Sequence, residues 1–366
     1  MTRRISLGCA LLAILFGACK QTLVLDDLSP DAGRSGTGGK GVGAVDASSG
    51  DAHCASNQSI VFTPDVPQVI VALDRSSMTT EMSFVGSQDS EFTTATADLS
   101  AEVSSYQASS GQGRATRPPI SFSYLDFPDS ASDCSAAVGC CASDVMPTPN
   151  SQAFQNAAYY ACGSPNTCVS SNNRPIAAAL TSAYNAFTQT NGAQTGQRFV
   201  LLVTGGPPSG GCVPSPSTGT DCQSAINEVD SLFKKLDVTT YIVGMGDQAN
   251  DSCLQAMAND EGSAQFYNAA VTANDLFGAL ESITGSIADA ACHLTLSTAA
   301  VSASQLMVQF QGTPVTADFK NGWSLDSGSG TPRLTLHGSA CQNYITNYPF
   351  GLQISGGCAS DHFPNP

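Results

Sequence analysis

Charge is scarce in this 366-residue chain, and positive charge is the scarcer sign. Only 12% of residues are Asp, Glu, Lys or Arg, and 14 basic residues against 30 acidic ones leave a formal net charge of −16. The first 19 residues hold Arg3 and Arg4 and no acid, so their loss makes the balance more negative. A field of that sign repels phosphate backbones and anionic lipid heads, which excludes nucleic acid as a partner. Histidine is also sparse: His53, His293, His337 and His362 are the whole supply. None falls between residues 58 and 290, where a catalytic cleft is expected. The chain has no Gly-x-Ser-x-Gly elbow and no His-Glu-x-x-His helix. Gly38-Gly39-Lys40 lacks the spacing and the preceding strand of a phosphate loop. Together these absences argue against an enzyme. No apolar run is long enough to cross a bilayer.

What is present at the N-terminus is the pattern of an export signal. Arg3 and Arg4 precede a short apolar stretch from Ile5 to Phe16, which ends in Phe16-Gly17-Ala18-Cys19. That ending resembles a bacterial lipobox, with Phe16 where Leu is usual. The resemblance implies lipidation of Cys19. With Lys20 rather than Asp following, it also implies retention in the outer membrane, on its periplasmic or its outer side. An ordinary cleaved signal is the alternative reading of residues 1–19. Residues 20–57 are rich in Gly, Ala, Ser and Asp and read as a flexible tether.

Cysteine usage agrees with export. Cys9 leaves with the signal and Cys19 would carry the lipid. The other twelve are Cys54, Cys134, Cys140, Cys141, Cys162, Cys168, Cys212, Cys222, Cys253, Cys292, Cys341 and Cys358, an even number suited to disulfides in an oxidising compartment. Spacing suggests local pairs: Cys162 with Cys168, Cys212 with Cys222, and Cys341 with Cys358. Sequence does not fix the connectivity. Cys140-Cys141 is no CxxC and no nearby ligand completes a zinc set.

The apolar pattern then alternates between two periods. Gln68 to Leu73, Phe199 to Val203 and Thr240 to Val243 are continuous apolar runs of buried parallel strands. Ile120 to Phe127 alternates and reads as a strand with one exposed face. Helical spacing places Ile176, Leu180, Tyr184 and Phe187 on one stripe, and Ile226, Val229, Phe233 and Leu236 on another. A third helix, over Thr272 to Ile287, opens with the Thr-x-x-Asp of a capping box. The α/β class follows: a doubly wound, mostly parallel sheet over residues 58–290. Residues 291–366 change texture. Short apolar stretches at Leu294–Thr298, Gln305–Phe310, Arg333–Leu336 and Leu352–Ile354 are separated by turn residues, which reads as a small disulfide-stapled β module. Trp323, the only Trp, reads as this module's core, with an exposed sugar platform as the alternative.

Asp74-Arg75-Ser76-Ser77-Met78 closes the first buried strand. With Arg174-Pro175-Ile176 and Val203-Thr204-Gly205-Gly206, it resembles a von Willebrand factor type A domain over roughly residues 58–290. The resemblance implies a divalent cation at the carboxyl edge of the sheet, held by an Asp-x-Ser-x-Ser loop, a Thr before Pro and an Asp after the next strand. One position would stay open for a partner's carboxylate. Asp74 and Ser76 match this pattern. Met78, Arg174 and Gly205 stand where hard oxygen ligands belong, so the site is degenerate and no cofactor is expected, with Mg²⁺ or Ca²⁺ at Asp74 and Ser76 as the exception. Two placements of Arg174 remain open. It extends into the vacated cation position and pairs with Asp74, or Asn173 caps the helix and Arg174 faces solvent. Asp126, Asp129 and Asp133 read as a solvated acidic turn, although Asp126 is a candidate ligand of a rearranged metal site. The long cysteine-rich loops gather near the same edge.

The functional expectation is a lipid-anchored envelope protein that binds or scaffolds a protein or glycan ligand. Alternatives are a metal-dependent adhesin with altered ligands, or an accessory subunit of an envelope hydrolase.

Overall fold

A computed structural model describes residues 58–76, 82–84, 87–106, 117–129, 142–147, 151–160, 173–189, 196–209, 220–259, 263–297, 303–326, 331–348 and 350–356. They all lie in the compact unit His53–Pro366. The signal, Cys19, the tether, Met78 and Asp133 fall outside the described residues, as do Cys54, Cys134, Cys140, Cys141, Cys162, Cys168, Cys212 and Cys358. Among the described residues, no helix is long and apolar enough to cross a membrane.

In chain order the strands are β1 (Gln58–Ser59), β2 (Phe62–Pro64), β3 (Gln68–Asp74), β4 (Ser121–Phe127), β5 (Met146–Pro147), β6 (Arg198–Thr204), β7 (Val238–Met245) and β8 (Ser263–Ala270). Six of them form one sheet in the order β5-β4-β3-β6-β7-β8, parallel except for the edge strand β5. Helices α1 (Glu91–Tyr106), α2 (Ser151–Tyr160), α3 (Ile176–Gln189), α4 (Asp221–Leu236), α5 (Ser252–Asn259) and α6 (Ala273–Ala288) cover it. Val69, Val71 and Leu73 of β3 pack into one core with α1 and α6, while Ile70 and Ala72 pack into another with α3, α4 and α5. Burial on both faces is why these strands carry unbroken apolar runs. Each fully buried Val or Leu is worth roughly 1.5–3 kcal/mol.

The helix ends follow their sequence signals. The Thr272 hydroxyl accepts from the Asp275 amide at 3.2 Å, and the Asp275 carboxylate accepts from the Thr272 amide at 2.9 Å, which completes the capping box of α6. Two expectations need correction. Helix α4 buries Ala225, Val229 and Leu232, and Phe233 is 38% exposed, so its inward face is turned from the expected stripe. Strand β4 is buried continuously from Tyr124 to Phe127, because helices lie on both of its faces.

The C-terminal region adds β9 (His293–Leu296), β10 (Leu306–Phe310), β11 (Thr313–Val315), β12 (Trp323–Asp326), β13 (Arg333–Leu336) and β14 (Leu352–Gly356). Two four-stranded antiparallel sheets result, β1-β14-β10-β11 and β12-β13-β9-β2. They enclose a core that includes Leu294, Val308, Trp323, Leu334 and Ile354. Trp323 is 4% exposed, and its indole N–H donates to the Val315 carbonyl at 2.9 Å.

Residues 58–64, grouped above with the α/β region, pair with C-terminal strands instead, so both ends of the described chain build this module. The module also holds a helix, α7 (Ser339–Thr346), that sequence reading missed. Its buried positions, Ala340, Cys341 and Tyr344, are too few to draw an apolar stripe.

Two disulfides lie among the described residues, and both depart from the expected local pairs. Cys222 bonds to Cys253, not Cys212, and Cys341 bonds to Cys292, not Cys358. The first joins the opening turns of α4 and α5, which pack on the same side of the sheet. The second joins α7 to the turn that leads into β9. Packing of elements brings these pairs together, and spacing along the chain does not report it.

Candidate functional site

The carboxyl ends of β3 and β6 converge on one buried carboxylate. Asp74 is the last residue of β3 and is fully buried. A buried carboxylate must be solvated by the protein, and Asp74 is. Its Oδ1 accepts from the Ser76 amide at 2.8 Å. Its Oδ2 accepts from the Gly205 amide at 2.9 Å, the Thr204 hydroxyl at 3.0 Å and Arg174 Nε at 3.1 Å. Ser76 and Gly205 therefore serve Asp74 through their backbones.

Arg174 is itself 4% exposed, so it does not face solvent. Helix α3 begins at Ile176, whose amide donates to the Arg174 carbonyl at 2.8 Å, so Arg174 stands at the helix start. An isolated bridge to Ser209 fixes its backbone, with N–H to carbonyl distances of 3.2 Å in both directions. Its Nη1 donates to Gln248 Oε1 at 3.1 Å. Gly206 makes this lock possible: a Cβ there would lie 2.2 Å from Gln248 Oε1 and 2.8 Å from Arg174 Nη1. Of the two placements left open by the sequence, the pair with Asp74 is the one formed.

A second buried arginine, Arg75, directly follows Asp74. Arg75 Nε is 2.8 Å from Asp126 Oδ2 and donates to the Pro128 carbonyl at 3.0 Å, and Nη2 reaches Asp129 Oδ1 at 3.1 Å. Arg75 and Asp126 are each 1% exposed. The solvated acidic turn is thus corrected for Asp126, which is a buried ion-pair partner. Burial pushes its carboxyl above the usual range, and Arg75 pulls it back. An arginine directly after a buried strand was the available signal, since such a charge must find an acid.

Sequence reading also missed Glu91. This first residue of α1 is 4% exposed, and its amide donates to the Met82 carbonyl at 2.9 Å. Its carboxylate packs onto Gly246, where a Cβ would lie 1.9 Å from Oε1. Burial raises its pKa to about 7, with further increments from Asp74 and Asp247 and an opposing pull from Arg174. Glu91 stands in a Ser/Thr-rich stretch with no apolar pattern to announce it.

These groups do not fit a divalent cation held in the usual manner of the resemblance. Asp74 already accepts four hydrogen bonds, one of them from a guanidinium. A metal ion beside Arg174 would meet a fixed positive charge in a low-dielectric site. Asp126, the alternative ligand, is engaged by Arg75.

Residues 167–284 match the family model of the von Willebrand factor type A domain. The chain carries such a domain. Within the match lie Arg174, α3, β6, Gly205 and β7, whereas Asp74 and Arg75 precede it. No curated protein matches the chain. Among solved structures, the open conformation of the pilus adhesin SpaC from Lactobacillus rhamnosus GG is similar at 11% identity and TM-score 0.45, over 85% of this chain and 41% of that one. The manganese-loaded TRAP protein of Plasmodium vivax is similar at 12% identity and TM-score 0.39, over 76% of this chain and 96% of that one. Proximal thread matrix protein 1 of the mussel byssus is similar at 18% identity and TM-score 0.38, over 64% and 50%. The chain thus spans about two fifths of the length of the pilus adhesin.

Proposed function

We propose that this chain is a lipid-anchored envelope protein whose von Willebrand factor type A domain binds a partner through its carboxyl edge, without a metal ion and without catalysis. One observation carries this reading. The guanidinium of Arg174 lies against Asp74, where the domain's resemblance implies a cation. The edge is then held by the protein's own groups, and its affinity for a partner needs no metal. The Cys222–Cys253 bridge holds the helix starts that follow β6 and β7, which lowers the ordering cost of binding there. Support for the lipid anchor is the Phe16–Cys19 pattern, and support for an outer-membrane location is Lys20.

The test is binding of the purified, oxidised chain to isolated envelope material, in EDTA and in Mg²⁺. Saturable binding that is equal in the two conditions is expected. Binding that requires Mg²⁺, or no saturable binding in either, overturns the proposal.

A further inference from the structure

The β10–β11 hairpin and helix α7 border an open cleft of about 440 Å³ in the C-terminal module. That volume is in the range of small-ligand sites. Gln311, Asn321, Asn343 and Asn347 line it, with Phe310 and Pro314 as an apolar wall. No Asp, Glu, Lys, Arg or His is part of the lining, in a chain whose net charge is −16. Side-chain amides donate and accept at once, as sugar hydroxyls do. A charged ligand would find no counter-charge here.

The turn at the lip of the cleft gives a second, independent observation. Phe310 pairs with Thr313, so Gln311 and Gly312 form a two-residue loop, with φ of 49° and 80°. Such a loop needs left-handed backbone at both positions and strongly favours Asn, Asp or Gly at the first. Glutamine offers no local relief for that conformation. Its surroundings hold it in place: the Gln311 backbone N–H donates to the Gly351 carbonyl at 2.8 Å, and a Cβ on Gly351 would lie 3.0 Å from Gln311 Cγ. Strained residues cluster at ligand-binding positions, and this one stands at the cleft lip. Asn347 Nδ2 donates to the Asn343 carbonyl at 2.8 Å, and Asn321 Oδ1 accepts from the Ser339 amide at 3.4 Å, which steadies two of the other amides.

We propose that this cleft binds a neutral saccharide, whose hydroxyls meet the four amides while an apolar sugar face lies on Phe310 and Pro314. The site is separate from the carboxyl edge and does not depend on the function proposed for it.

The probes are chitotriose, maltotriose and cellotriose, with trigalacturonate and an extended neutral tetrapeptide as controls. Each is titrated into the full oxidised chain by calorimetry and saturation-transfer NMR. Saturable binding of at least one neutral trisaccharide is expected. Gln311→Gly should weaken it by about tenfold or more while raising Tm, because glycine relieves the left-handed strain. Asn343→Ala should weaken it similarly with Tm unchanged. No neutral trisaccharide bound, binding untouched by both variants, or preference for the trigalacturonate or the peptide would overturn the proposal.

Discussion

The carboxyl edge of the sheet and the cleft of the module handle polar groups in opposite ways. At the edge, Asp74, Arg75, Asp126 and Arg174 are charged and each is at most 4% exposed. In the cleft, Gln311, Asn321, Asn343 and Asn347 are neutral and open to solvent. The contrast follows from solvation. A buried charge is tolerated only when it is paired and hydrogen-bonded, so the edge must be completed from within. A neutral amide in contact with water costs little when left open, so the cleft can wait for a ligand. The edge is a place where structure is fixed, and the cleft is a place where chemistry stays available.

Breaking the edge should therefore have the largest effect. Arg174→Leu leaves Asp74 as a buried carboxylate without its cation, and a loss of about 3–5 kcal/mol in urea unfolding is expected. Adding Asp74→Asn should return most of that loss, because the stranded charge is then gone. Opening the module's staple comes next. The paired change Cys292→Ser and Cys341→Ser releases a link across 49 residues and should cost about 3 kcal/mol, with hydrogen exchange rising in β9 and α7 first.

Glu91 sharpens the comparison through pH. Its folded pKa of about 7 stands above the ordinary 4.5, so the folded state holds a proton that the unfolded chain releases. Its contribution is most favourable below about pH 4.5 and is lost as pH rises through 7. Glu91→Gln should remove this loss, and the variant should gain on wild type by about 2 kcal/mol between pH 5 and pH 8. A difference that does not change with pH would show that burial, with Asp74 and Asp247 beside it, does not hold a proton on Glu91. The smallest effect belongs to two glycines of α6. Gly278 and Gly285 lie inside α6, and a Cβ at either would meet nothing within 4 Å. Alanine at each should add roughly 0.5–1 kcal/mol, read as a rise in Tm.

How much could be read from sequence tracks the same division. Strands β3, β6 and β7 are legible because burial on both faces leaves an apolar run, and α6 because Thr272 and Asp275 sign its start. Helix α1 was not, since Ser100 and Glu102 lie on its buried side and interrupt the stripe. Glu102 is kept there by the Thr284 hydroxyl of α6, which donates to its Oε2 at 2.9 Å. Strand β8 was missed because Ser263-Ala264-Gln265 opens it without an apolar run.

At the site, Asp74, Ser76, Arg174 and Gly205 were found through their resemblance to a known loop pattern. Arg75, Glu91, Gln248 and Gly206 were not, because their roles depend on contacts between loops far apart in sequence. The amides of the cleft carry no sequence signature at all. Only the left-handed backbone of Gln311 singles one out, and backbone angles are not written in a sequence.

The most direct test is a calorimetric titration of the oxidised chain with Mg²⁺, Mn²⁺ and Ca²⁺, run beside Arg174→Thr. Wild type should show no binding heat and no change of Tm in EDTA, because Arg174 already satisfies Asp74. Arg174→Thr removes that cation and places a hydroxyl where the domain's pattern has one, so a gain of divalent binding is expected there. Binding by wild type in the micromolar range would contradict the claim that an arginine stands in the place of the metal.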